Sequence, residues 1–212
     1  MITIIDYGAG NLASIKNMFR RLGHPALISA DPEIVAAADK LLLPGVGAFD
    51  YGVSRLRESG LMHALDHAVN QRLTPILGIC LGAQLLTRRS DEGQLPGLGW
   101  FDGETVAFDR GKFTQGERIP HMGWTDLEIT RPHPLLTDLP EAPRFYFVHS
   151  FHLLCRKDEE VMATAHHGYS FAAGIARGHI AGVQFHPEKS HKFGMKVLDN
   201  FAKWQPGTLT EA

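Results

Sequence analysis

An α/β fold, with an open, mostly parallel sheet flanked by helices and an additional antiparallel section, is the class that three features of this chain predict. The N-terminal half alternates short apolar runs with helically spaced apolar residues. The second half changes to shorter strand patterns punctuated by Gly, Pro and His. Between them, a glycine-flanked cysteine closes a continuous apolar run at Ile76-Leu77-Gly78-Ile79-Cys80. Regular alternation of strand and helix is what parallel strands with crossover helices require, and short strands with tight punctuation are what antiparallel pairs require.

Taken in order, Ile2–Ile5 is a first strand, apolar enough to be covered on both faces. Leu12, Ile15, Phe19 and Leu22 then recur at helical spacing up to a stop at Gly23. Ala26–Ser29 is a second strand. Asp31-Pro32-Glu33 opens the next helix, with an acceptor side chain followed by a proline whose missing N–H costs nothing in a first turn. Residues 40–44 form a third strand ending in Gly45-Val46-Gly47, and helical spacing returns at Leu56, Leu61, Leu65 and Val69 before the strand that carries Cys80. After about Gly99, residues 104–108, 125–129, 144–148 and 161–165 read as short strands of an antiparallel section packed against the parallel one. Gly111 to Gly116 reads as a mobile loop. Residues 1–204 are expected to form one domain and 205–212 a flexible tail.

A chain of 212 residues with 44% hydrophobic content can bury a large core without disulfides or metal. A formal net charge of −2 argues against nucleic acid or an anionic membrane surface as main partner, and no apolar run approaches the length of a membrane span. Met1 leads straight into a strand rather than a signal peptide, which with only two cysteines implies the cytoplasm. A disulfide between Cys80 and Cys155 stays open on sequence alone, although the setting of Cys80 favours a free thiol. Twelve histidines raise the question of a metal. Pairs such as His149/His152 and His166/His167 lack further ligands at fixed spacing, so no metal and no cofactor is expected. Apart from His186, the histidines read as surface or loop residues, with His121 and His149 in aromatic-rich loops.

The chemistry concentrates at two motifs. In Gly78-Ile79-Cys80-Leu81-Gly82-Ala83-Gln84 a buried strand turns abruptly into a helix at Cys80, with glycines where neighbouring side chains would collide. The helix beginning near Leu81 aims free amides and its positive dipole end at the sulfur, which favours negative charge there and can hold a developing oxyanion. In Gly182-Val183-Gln184-Phe185-His186-Pro187-Glu188, His186 and Glu188 stand two apart on an extended strand and so share a face, as a base and its orienting carboxylate must. Cys80, His186 and Glu188 are thus a candidate catalytic triad. A lone cysteine is otherwise most often a small buried hydrophobe.

Gly8-Ala9-Gly10-Asn11-Leu12-Ala13 also fits a dinucleotide fingerprint, with Asp31 near the place of a ribose ligand. Asp6 and Tyr7 lengthen the turn before these glycines, and Asp31 before Pro32 is already accounted for as a helix cap. An α/β-hydrolase with a Cys nucleophile would place its acid before its His, whereas Glu188 follows His186.

Pro44-Gly45-Val46-Gly47, Gly78 to Gln84, and Gln184-Phe185-His186-Pro187-Glu188, in that order, resemble the triad (class I) glutamine amidotransferases. Ile5-Asp6-Tyr7-Gly8-Ala9-Gly10-Asn11, Pro120-His121-Met122-Gly123-Trp124 and Phe145-Tyr146-Phe147-Val148-His149-Ser150 narrow the resemblance to the glutaminase subunits of imidazole glycerol phosphate synthases, over about Ile2 to Trp204. The resemblance implies hydrolysis of glutamine by Cys80, His186 and Glu188. It implies an oxyanion hole from the amides of Leu81 and Val46, substrate contacts from Gly47, Gln84, Glu92, His149, Ser150 and Phe151, and a (β/α)8-barrel cyclase partner met by Met122, Trp124, Tyr146 and Lys189. Without it, Gly47 reads as a plain turn residue and Glu92 as a solvated charge. A paralogous subunit supplying ammonia to the amidation of a nucleotide-linked sugar is the alternative. Ala83, Thr125 and Phe151 depart from the usual Met, Asn and Tyr; Thr125 bears on docking.

Overall fold

The computed structural model describes residues 1–114 and 116–207. Its first half runs β1 (Ile2–Ile5), α1 (Leu12–Arg21), β2 (Ala26–Ser29), α2 (Pro32–Ala36), β3 (Lys40–Gly45), α3 (Phe49–Glu58), α4 (Leu61–Asp66), β4 (Ile76–Cys80) and α5 (Leu81–Leu85). The second half runs β5 (Gly103–Ala107), β6 (His121–Asp126), β7 (Glu128–Ile129), β8 (Arg144–His149), β9 (Phe151–Cys155), β10 (Val161–His167), β11 (Tyr169–Arg177), β12 (Ile180–Val183) and α6 (His191–Lys203).

Strand order in the main sheet is β2-β1-β3-β4-β12-β11-β10-β7, with β9 branching from β11 and β5 pairing with β9. The strands from β2 to β12 are parallel, and pairing from β12 to β11 onward is antiparallel. The antiparallel section therefore continues the sheet instead of packing against it. The reason is the late strand β12, which inserts beside β4 and brings its hairpin partner β11 into the same layer. β6 and β8 form a separate two-stranded ribbon. The single strand expected over 125–129 is split at buried Leu127: β6 belongs to the ribbon, whereas β7 pairs with β10.

Each face of the parallel part is covered, which is why its strands lack alternation. Ile4, Leu42, Leu77 and Ile79 face Ile15 and Phe19 of α1 and Val197, Leu198 and Phe201 of α6. Ile5, Leu41, Leu43 and Ile76 face Val35, Val53, Leu56, Leu65 and Leu81 of α2 to α5. Truncating one of these fully buried leucines to alanine costs on the order of 2–5 kcal/mol.

Local signals decide the helix starts. Asp31 accepts from the Glu33 amide at 2.9 Å and caps α2, and Asn11 accepts from Ser14 to cap α1. The helix expected across Leu56 to Val69 is broken at Ser59 and Gly60 into α3 and α4, and ends in a wide turn over His67–Gln71. Within the stretch expected as a loop, Arg110–Lys112 forms a 3-10 turn capped by Asp109, and Phe113 packs against the core; residue 115 lies outside the described residues. Of the expected tail, residues 208–212 also lie outside them. Among the described residues no helix is long and apolar enough to cross a membrane.

Candidate active site

β4 is buried along its whole length and turns into α5 at Cys80 itself, with φ 53° and ψ −109°. Positive φ is costly for a residue with a Cβ, so the surroundings must enforce it. They do so by backbone proximity. A Cβ on Gly82 would lie 1.8 Å from the Leu43 carbonyl oxygen, and one on Gly78 would lie 2.7 Å from the Gly82 oxygen. The first turn of α5 thus lies against the backbones of β3 and β4, and Cys80 is left at the bend with an unpaired thiol.

β12 stops at Val183, and the chain reaches His186 in extended form before Pro187–Lys189 makes a 3-10 turn. The tight turn, not a continuous strand, brings Glu188 back to His186. This corrects the expected geometry while preserving the pairing. His186 Nδ1–H donates to Glu188 Oε1 at 2.8 Å, with both side chains almost fully buried at 1% and 3% exposure. Burial opposes charge on the imidazole, yet the Cys80 sulfur and the Glu188 carboxylate outweigh it and raise its pKa to about 10. Among the described residues His186 Nε2 has no hydrogen-bond partner, leaving it available to a reacting group.

One cleft of about 270 Å³ gathers Cys80 with Val46, Gly47, Leu81, Gln84, Glu92, His149, Ser150 and Phe151, together with Pro120 and Val148. Every oxyanion and substrate candidate read from the sequence therefore faces the same space as the sulfur. Val46 is 45% exposed, and Gly47 has φ +105°, a conformation that glycine adopts without strain. Glu92 is not merely a solvated charge: its Oε2 accepts from the Phe49 amide at 2.8 Å, at the uncapped start of α3. Gln84 Nε2 donates to the Phe151 carbonyl at 3.0 Å and to Gln184 Oε1 at 3.3 Å.

A model of the family described as glutamine amidotransferase class-I matches residues 3–204. The chain belongs to that family. A curated relative from Methanococcus maripaludis, named imidazole glycerol phosphate synthase subunit HisH 2, is 48% identical over 96% of this chain and 99% of its own length. One of the same name from Pseudomonas aeruginosa is 45% identical over 96% and 99%. Among solved structures, a putative GMP synthase subunit from Thermoplasma acidophilum superposes with a TM-score of 0.71 at 20% identity, covering 95% of this chain and 92% of that one. It supports the class I amidotransferase fold.

The remaining sequence candidates of this class I amidotransferase lie together beside the cleft. Trp124 pairs across the ribbon with Tyr146, and Met122 with Val148, so that these side chains share one face. Lys189 Nζ stands 5.5 Å from the centre of the Tyr146 ring. Met122 and Trp124 are exposed. They occupy strands and not the loops expected, because β6 and β8 alternate between this outer face and an inner one. The inner face explains a second correction: His121 and His149 are buried on these strands, and His152 and His133 are buried as well. The rings of His121, His149, His152, His167 and Tyr169 pack around the buried Phe108. Among the described residues no group of three or more His, Cys, Asp or Glu is arranged to hold a metal.

Three residues join the site that the sequence reading did not assign to it. Gln184 Nε2 lies 3.8 Å from the Cys80 sulfur; its place two residues before His186 on extended chain was the available signal. His191 stacks on Trp124, with ring centres 5.5 Å apart, extending the exposed aromatic face. Tyr7 lies beneath Gly45, where an added Cβ would come within 2.3 Å of its hydroxyl.

Proposed function

We propose that this chain is the glutaminase subunit of an imidazole glycerol phosphate synthase, hydrolysing glutamine to glutamate and ammonia for a (β/α)8-barrel cyclase. The observation that carries the reading is the elbow cysteine, which lines one small cleft with Val46 and Leu81 and interacts with His186 of the buried His186–Glu188 pair. The names of the two relatives support the acceptor chemistry. The dinucleotide reading loses its ribose ligand, since the Asp31 side chain is engaged as the α2 cap.

In this reading the Cys80 sulfur attacks the side-chain amide carbon of glutamine. The oxygen takes up negative charge against the amides of Leu81 and Val46. His186 Nε2 delivers a proton to the departing nitrogen, ammonia leaves, and a thioester remains on Cys80. The same nitrogen then takes a proton from water as it attacks the thioester, releasing glutamate and the thiol. Glu188 fixes the ring through Nδ1 and favours its charged form throughout. Gly47, Gln84, Glu92 and the 149–151 segment bind the substrate.

Ammonia in water at neutral pH is mostly ammonium and a poor nucleophile, so its release is useful only beside a protein that consumes it. Met122, Trp124, Tyr146 and Lys189 form the docking face, with exposed aromatic and Met side chains of the kind enriched at interfaces. The Gly45-Val46-Gly47 segment provides the movable element that docking biases toward the competent state. The enzyme works in the cytoplasm, where its two unpaired cysteines stay reduced.

The test is glutamine hydrolysis by the purified chain alone, with the barrel, and with the barrel and its ribotide ligand. The lone chain is expected to be nearly silent and the loaded complex active. Cys80→Ala should remove on the order of 10⁴-fold or more of that activity while leaving partner binding intact. Substantial turnover by a folded Cys80→Ala protein would sink the mechanism. Turnover indifferent to the barrel and its ligand would sink the coupling.

A further inference from the structure

Beneath the docking face the ribbon carries hydrogen bonds whose direction is fixed at one end. His149 Nδ1 lies 2.8 Å from the Phe151 carbonyl oxygen, which has no proton to give, so Nδ1 must carry the hydrogen. A neutral ring then leaves Nε2 as a lone pair, and it faces His121 Nδ1 at 3.0 Å. That atom must therefore be an N–H, and His121 Nε2 in turn accepts from the Thr125 hydroxyl at 2.7 Å. The reverse assignment would set the lone pair of His149 Nδ1 against the carbonyl oxygen.

We propose that His121 and His149 are positioning residues, held as Nδ1–H tautomers in a one-way chain that fixes the Phe151 carbonyl in the cleft wall from the strand presenting Met122 and Trp124. The far end of the chain reaches the nucleophile. Phe151 oxygen also accepts from Gln84 Nε2, the second hydrogen of that amide goes to Gln184 Oε1, and Gln184 Nε2 donates toward the Cys80 sulfur. Alternation along β6 makes the connection mechanical as well as polar. Met122 and Trp124 point to the exposed side, while His121 and Thr125 belong to the opposite side of the same backbone.

Burial keeps both rings neutral, as the chain requires. It holds His121 down to about 4 and His149 well below the usual imidazole range, with the neighbouring rings, His167 among them, adding repulsion against charge. His167 stacks on His121 with ring centres 4.3 Å apart, and Phe147 stacks at 5.0 Å, so His121 has little freedom to turn. Thr125, where the family resemblance leads one to expect Asn, is the outermost donor.

The tautomer claim stands on the hydrogen-bond geometry and the burial that keeps both rings neutral, whereas its effect on catalysis rests on the glutaminase reading. Imidazole ¹⁵N spectra of the purified chain at neutral pH test the first: both rings should show a protonated Nδ1 and a bare Nε2. A protonated Nε2 on either ring overturns the proposal, whatever the enzyme turns out to do. The second is tested in the assembled, ligand-bound complex. His121→Phe retains the ring stacking but removes both hydrogen bonds, and should raise the KM for glutamine about fivefold or more with a smaller change in kcat. His121→Asn, whose amide can still donate to His149, should recover most of the loss. A folded His121→Phe complex with wild-type KM, or an Asn variant no better than Phe, overturns the positioning role.

Discussion

The backbone amide of His186 donates to the carbonyl of Tyr146 at 2.9 Å. One strand thus carries an aromatic ring on the proposed docking face and holds the backbone of the proposed catalytic base. Ser190, fully buried, closes the arrangement: its hydroxyl donates to the His186 carbonyl at 2.6 Å and accepts from the Tyr146 amide at 3.0 Å.

Ser190→Ala removes both bonds at once and leaves the Tyr146 amide without that partner in a buried setting. A loss of about 1–3 kcal/mol in stability is expected, with a fall in partner-stimulated kcat larger than any change in KM, because the base is displaced and the cleft wall is not. Urea unfolding and steady-state hydrolysis check it. Unchanged stability together with unchanged kcat would show that Ser190 does not act as this strut.

Within the proposed triad, Glu188 orients the ring and raises its affinity for protons, and its assigned role includes no bond making. Glu188→Gln should therefore lose less hydrolysis than His186→Ala, and it should lower the pH at which the activity of the complex falls off on the alkaline side. Equal loss in the two variants, measured in the assembled complex, would contradict the division of roles.

Stability should vary with pH in two opposite senses. His121 and His133 are held to about 4 in the fold by burial, against an ordinary value near 6.5, so the unfolded chain binds protons first. Stability is lost as pH falls from about 6.5 toward 4. His186 has the opposite sign: its contribution is complete below about 6.5 and fades as pH rises toward 10. His133 Nδ1 accepts from the Leu135 amide, and asparagine can keep such a cap without titrating. His133→Asn should then shrink the difference in urea midpoint between pH 7 and pH 5. A difference as large as in the parent chain would show that another group sets the acid limb.

Tyr7 has a buried hydroxyl with no hydrogen-bond partner among the described residues. Burial, with the Cys80 sulfur and Tyr51 adding to it, holds its pKa well above the usual phenol range, so it stays protonated. Tyr7→Phe removes an unsatisfied polar atom and keeps the ring, and should leave stability unchanged or raise it by about 1 kcal/mol. Thermal unfolding decides this, and a clear loss of stability would mean that the hydroxyl has a partner in solution.

Much of the local geometry of the proposed catalytic apparatus was legible because its physics is local. A cysteine between glycines after an apolar run has few alternatives to a sharp bend, and Asp31-Pro32-Glu33 can start a helix with no help from elsewhere. The short strands of the second half were less legible. Residues 125–129 look like one strand until Leu127 is committed to the core and its two flanks are claimed by different sheets. The histidines at 121, 133, 149 and 152 read as surface or loop residues because their type is usually polar and exposed, and Phe108, the buried ring against which three of them pack, is distant in sequence from all four.

The parallel α/β core, the elbow at Cys80, the helix caps and the pairing of His186 with Glu188 can be read from the chain, since their signals lie in residues within a few positions of one another. The folded chain alone reveals that His186 reaches Glu188 through a 3-10 turn, that β12 inserts beside β4 and carries the antiparallel section into the same sheet, and that the proposed docking face and the buried histidines are two sides of one ribbon. These follow from burial and from contacts between distant segments, where the gain comes from excluding water across the whole fold and leaves no periodic mark on the chain.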